Sequence, residues 1–166
     1  MISKGNAKKN IRGNFTAKFD ASLYASTADV AKVSGAKSDI ILLDGRNKEQ
    51  FIGEKKHKKA ERFGHIPGAQ LISQAKTYNP ESNQLKNKTE LNDLFSEVNS
   101  KPVISYCNTG HWAATNWFAL SEVLGNKNVK LYDGSMVEWT ADANRKVDHN
   151  QSNLYKIKSF LSEIFG

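Results

Sequence analysis

Short unbroken apolar runs alternate with stretches of helical period along this chain. Asp39-Ile40-Ile41-Leu42-Leu43-Asp44 is apolar between acidic ends and reads as a buried parallel strand. Val103-Ile104-Ser105-Tyr106, opened by Pro102, is a second, and Val129 to Tyr132 a third. Leu71-Ile72 is a further short strand. Between them, Thr27 is placed to cap a short helix carrying Val30 and Val33, with Gly35 as its stop. Thr89 is placed to cap a helix whose Leu91, Leu94, Phe95 and Val98 fall at i, i+3, i+4 and i+7. Ala113, Trp117, Leu120 and Leu124 mark one face of another helix, ended by Gly125. A short segment after Asp133-Gly134 holds Met136 and Trp139.

The segment after Asp44 is helix-like but strongly basic, and Gly64-His65-Ile66-Pro67-Gly68-Ala69 must turn. The chain closes on an amphipathic pattern at Leu154, Ile157, Leu161 and Ile164, which predicts a C-terminal helix. Strands alternating with helices predict an α/β fold: a central parallel sheet of about five strands with helices on both faces. Residues 1–13, rich in Lys, Asn and Gly, read as a flexible tail or linker, and 14–166 as a single domain. Phe15 and Phe19 are expected to pack as a lead-in on that domain.

Composition narrows the function. The 166 residues carry 24 Lys+Arg against 17 Asp+Glu, a net charge of +7, and only four of the basic residues are Arg. Arg is the residue suited to bidentate reading of bases and phosphates, so this Lys-heavy balance argues against sequence-specific nucleic-acid binding. The densest basic run, Lys55-Lys56-His57-Lys58-Lys59, has no interleaved aromatics for base stacking. It reads as a solvated loop, or as a patch that attracts an anionic donor or an acidic partner. No apolar run approaches a membrane span and the first residues form no signal peptide. The chain as given therefore reads as soluble and cytoplasmic, or periplasmic if it is processed or excised from a longer protein. A single cysteine, Cys107, excludes an internal disulfide and any multi-cysteine metal site.

Cys107 follows a predicted strand directly and precedes a predicted helix. In open α/β sheets, sites form at the carboxyl ends of the strands. The loop Cys107-Asn108-Thr109-Gly110-His111-Trp112 aims backbone N–H groups and the positive end of a helix at the sulfur, which favours the thiolate nucleophile. The plainer reading is that Cys107 is a small buried hydrophobe.

Tyr106-Cys107-Asn108-Thr109-Gly110-His111-Trp112-Ala113 resembles the active-site loop of rhodanese-type sulfurtransferases. Leu42-Leu43-Asp44-Gly45-Arg46 resembles that family's strand ending in Asp-x-Arg, and Gly64 to Ala69 its most recognisable turn. Leu131-Tyr132-Asp133-Gly134-Ser135-Met136 through Trp139 is similar to the strand and turn after the catalytic helix. Phe51-Ile52-Gly53 makes the chain more similar to the catalytic half of tandem sulfurtransferases. The resemblance implies a Cys107 persulfide that carries sulfane sulfur from thiosulfate or a persulfide to a thiol or cyanide. It also implies an anion-binding loop over Asn108, Thr109, Gly110, His111, Trp112 and Ala113, support from Asp44 and Arg46, and no metal or organic cofactor. A partner domain in a longer chain is a further expectation, with no nucleic acid and no membrane among the partners. The loop is neither cationic, as in many thiosulfate users, nor small, as in mercaptopyruvate users, and Gln50 stands where the family often has a charge. The preferred donor stays open. Phosphatases of related fold place Arg six residues after the cysteine, where this chain has Ala113. A non-catalytic interaction or sulfur-carrier module is the alternative.

Overall fold

Four strands pair in parallel in the order β2-β1-β5-β6 in the structure, a computed structural model that describes Gly5 and residues 13–149. They are β1 (Ile41–Asp44), β2 (Gln70–Leu71), β5 (Val103–Tyr106) and β6 (Val129–Leu131). Tyr24 adds a single parallel bridge to Leu131, so beside the four strands the sheet gains one bridged residue where about five strands were expected. The helices are α1 (Thr27–Val33), α2 (Lys48–Phe51), α3 (Lys88–Leu94), α4 (His111–Phe118) and α5 (Ser135–Ala141).

The pleat sorts the strand residues onto two faces. Leu42 and Ile104 pack with Val30 of α1 and with Met136 and Trp139 of α5. Leu43 and Val103 pack on the other face with Leu91, Phe95, Ala119 and Leu120. Two covered faces explain why these strands are apolar without alternation.

Both predicted helix starts move to an earlier residue. Ser26, not Thr27, caps α1, and Asn87, not Thr89, caps α3. Each makes a reciprocal capping box, with Asp29 and Glu90 three residues on. The carboxylate that answers the cap fixes the position, and Thr27 is left to bond the Tyr132 hydroxyl at 3.0 Å.

The basic segment after Asp44 is not a long helix. Only Lys48–Phe51 is helical, and Lys55 to Lys59 is irregular. Like charges three and four residues apart repel on a helix face. Arg62 anchors the loop instead, donating to Arg145 O (2.6 Å) and Asp142 O (2.8 Å). The second short strand begins one residue earlier than expected, at Gln70. An antiparallel hairpin of β3 (Tyr78–Asn79) and β4 (Gln84–Leu85) has no counterpart in the sequence reading. The last turn of α4 widens into a π-helical stretch over Ala119–Val123, where Leu124 N–H reaches Ala119 O at 3.0 Å.

The Phe15 and Phe19 lead-in is not buried on the domain: the two side chains are 91% and 74% exposed, and Phe19 meets the Tyr24 ring edge-on at 5.9 Å between centroids. The expected C-terminal helix, and most of the expected tail, lie outside the described residues.

Candidate functional site

Strand β5 is buried throughout and delivers Cys107 to the carboxyl edge of the sheet. Tyr106, just before it, is fully buried. Its hydroxyl accepts the Ile66 N–H at 3.3 Å, and burial holds the phenol well above its ordinary pKa. The strand end is thus tied to the Gly64–Ala69 turn by a neutral, fixed group.

After Cys107 the chain curls back at Gly110, whose φ of 83° is left-handed. A Cβ there would stand 3.0 Å from Asp133 Cα and 3.1 Å from Asp133 O, so the tight approach also requires glycine. Helix α4 starts at the next residue. The backbone N–H groups of Asn108, Thr109, His111, Trp112 and Ala113 have no hydrogen-bond acceptor among the described residues. A loop of free donors leading into a helix N-terminus suits an anion.

Ser135 holds this loop, and the sequence reading did not single it out as a site residue. Its Oγ accepts the N–H of Cys107 (2.9 Å) and of Gly110 (3.2 Å), donates to Tyr132 O (2.9 Å), and lies 4.0 Å from Cys107 Sγ. Ser135 has φ of 50°, rare for a residue with a side chain. That strain is set by the fold and leaves no mark in the sequence.

Asp44 and Arg46 form a buried ion pair at the end of β1. Arg46 Nε meets both carboxylate oxygens (2.9 and 3.0 Å), and a terminal nitrogen meets Oδ2 at 2.7 Å. Burial opposes the guanidinium charge, but the Asp44 carboxylate outweighs it and holds the Arg46 pKa above its ordinary value. The same nitrogen donates to Gly64 O at 2.9 Å, so the pair ties β1 to the turn. His65 in that turn stacks on Phe51, with ring centroids 3.8 Å apart, and its Nδ1 lies 2.7 Å from Phe51 O. Burial pushes the His65 pKa below its ordinary value.

A cavity of about 220 Å³ opens beside the sulfur, lined by Gln50, His57, Cys107, Asn108, Thr109, His111 and Trp112. The structure therefore brings Cys107 together with Asn108, Thr109, His111 and Trp112 of the predicted loop. Ala113, expected in the anion-binding loop, is buried and absent from the lining; its carbonyl accepts the Ser105 hydroxyl at 2.9 Å. The inward turn of α4 carries it under the loop. Asp44 and Arg46 stand outside the cavity as supports.

Gln50, on α2, and His57, from the irregular segment after it, join the site. Gln50 Oε1 accepts from Asn108 Nδ2 at 3.2 Å, while the buried Asn108 Oδ1 has no partner among the described residues. A larger cavity, about 540 Å³, sits at the opposite edge against Ile40, Pro102, Val103 and Asn128. No cysteine lines it, so chemistry rather than size places the candidate site at Cys107. Among the described residues no group of three or more His, Cys, Asp or Glu could hold a metal ion. None of their helices is long and apolar enough to cross a membrane.

Comparison with known proteins agrees with this geometry. The rhodanese-like domain family model matches residues 26–142. A Mycolicibacterium smegmatis protein named "Putative thiosulfate sulfurtransferase" is 36% identical over 136 residues, covering 76% of this chain and 48% of that protein. A Haloferax volcanii protein of the same name is 42% identical over 106 residues, 59% of this chain and 37% of its own length. The sulfur carrier protein TtuD of Thermus thermophilus is 36% identical over 107 residues, 59% of this chain and 37% of its length. The chain thus spans between about a third and a half of the length of these relatives. Among solved structures, Tum1 of Saccharomyces cerevisiae has a similar fold, with a TM-score of 0.65 and 23% identity over 81% of this chain and 49% of that one. The anaerobic ergothioneine biosynthesis enzyme of Chlorobium limicola gives 0.69 and 21%, over 79% and 33%. With its parallel sheet, its cysteine loop and a family match over most of its length, the chain belongs to the rhodanese-like domain family.

Proposed function

We propose that this chain moves sulfane sulfur through a persulfide on Cys107. The observation that carries the reading is the cysteine at the end of β5, in a loop of N–H donors that have no acceptor among the described residues, beside a cavity open to a small donor. The names of the curated relatives support the same class of chemistry.

In the first step the Cys107 thiolate attacks the outer sulfur of a donor such as thiosulfate or a persulfide. The donor's S–S bond breaks, and the leaving group takes the electron pair. The persulfide anion then lies among the loop donors, which stabilise its charge without reorganising. In the second step a thiol or cyanide acceptor attacks the outer sulfur and restores the thiolate. The reaction is two-step nucleophilic catalysis and needs no metal or organic cofactor. Asp44 and Arg46 act by holding β1 and the Gly64 turn in place. We further propose that residues 14–166 act as one unit beside a partner domain, because the relatives extend well beyond the matched region.

The test is intact mass after incubation with thiosulfate or a persulfide donor. One added, reducible sulfur on Cys107 is expected, and none in Cys107→Ser. Absence of any adduct with several donors would overturn the proposal. The likeness to TtuD favours a second reading, a sulfur carrier. A carrier would load one sulfur per chain and pass it only to a protein acceptor, whereas an enzyme turns over repeatedly with small thiols or cyanide.

A further inference from the structure

One wall of the Cys107 cavity has no part in the steps above. His57 lines it, from the basic run between Lys55 and Lys59. Ala60 N–H donates to His57 O at 2.9 Å and closes a tight turn around the residue. Within that turn Lys59 N–H donates to His57 Nδ1 at 3.3 Å. Nδ1 is therefore an acceptor, and the neutral ring carries its proton on Nε2. The turn engages one ring nitrogen and leaves the other as a donor.

The rest of the cavity fits an anion on this side. Among the described residues no carboxylate lines it, and Lys55, Lys58 and Lys59 of the same run are exposed. Gln50 Oε1 is occupied by Asn108 Nδ2.

We propose that His57 is a specificity-determining residue whose Nε2–H binds the oxyanion end of an anionic sulfur donor while Cys107 attacks the outer sulfur. This rests on the persulfide reading above. With thiosulfate, the thiolate forms a bond to the outer sulfur, the donor's S–S bond breaks, and sulfite leaves with the electron pair. Total charge is unchanged, and no oxidant or proton is consumed. His57 holds the sulfonate oxygens before and during bond cleavage, so it contributes to binding more than to the rate of the bound complex.

Steady-state kinetics with thiosulfate test this. His57→Ala is expected to raise KM about tenfold while kcat changes by no more than about threefold, the pattern of lost uniform binding. His57→Gln, which keeps an N–H donor, is expected to recover most of that loss. An unchanged KM, or a fall in kcat alone, overturns the proposal. So does a larger KM rise in His111→Ala. So does a larger rise in a Lys55→Ala, Lys58→Ala, Lys59→Ala triple variant that vanishes in high salt, which would assign donor capture to the diffuse field of the lysines. A second measurement separates this inference from the persulfide reading. Sulfite is expected to protect Cys107 from the neutral reagent iodoacetamide, at about tenfold higher concentration in His57→Ala, as for any lost binding contact. Protection without sulfur loading retains the His57 site and rejects persulfide chemistry. Loading without His57-dependent protection does the reverse.

Discussion

Ser135 Oγ stands 4.0 Å from Cys107 Sγ and accepts the backbone N–H groups of both Cys107 and Gly110. One hydroxyl thus fixes Cys107 and the residue that turns the loop into α4. Ser135→Ala leaves both buried donors without an acceptor, at a cost of about 1–3 kcal/mol each. The expected result is a lower melting temperature and a slower, incomplete sulfur loading of Cys107. Ser135→Gly relieves the positive φ but lacks the hydroxyl, so its stability should exceed that of the alanine variant while loading stays impaired. Thermal denaturation and intact mass on the same samples check both. Normal loading in Ser135→Ala would remove Ser135 from the site.

The Asp44–Arg46 pair makes a stability prediction. Arg46→Met strands a buried carboxylate and is expected to cost about 3–5 kcal/mol. Asp44→Asn combined with Arg46→Met removes both charges and should recover part of that loss. Urea unfolding of the two variants distinguishes them. Equal stability of the single and double variants would show that the pair is not coupled.

His65 sets a pH dependence. Its pKa is lowered in the fold by burial, so the folded chain binds fewer protons there than the unfolded chain. Its contribution is fully present above about pH 6.5, the ordinary histidine value, and is lost as pH falls below it. The melting temperature should therefore drop between about pH 7 and pH 5, before carboxylates titrate. His65→Asn is expected to lower stability at pH 7 and to flatten the drop. An equally steep profile in that variant would assign the titration to another group.

The phosphate-clamping position is filled by Ala113, buried beneath the loop with its carbonyl bonded to Ser105. Without a guanidinium there a phosphate dianion loses its bidentate partner. Aryl phosphates are expected to give no Cys107-dependent turnover. Robust hydrolysis abolished by Cys107→Ser would reverse this conclusion.

By itself the sequence determined the layers and the place of Cys107 at a strand end. The apolar runs at Leu42–Leu43 and Val103–Ile104 are buried on both faces, and that demand is written in consecutive residues. The cysteine after a strand and the glycine before a helix are equally local signals. The tertiary structure alone decided which distant groups surround the sulfur. His57 reaches the cavity because the basic segment after α2 does not continue as a helix and runs as a loop, held by Arg62 contacts to Asp142 and Arg145, while Gln50 reaches it from α2. Ser135 reaches the loop through a strained backbone angle that no residue pattern announces. Helix period and strand burial depend on neighbours in sequence, whereas the walls of a pocket depend on where loops land. Loop placement is set by long-range hydrogen bonds that leave no periodic trace.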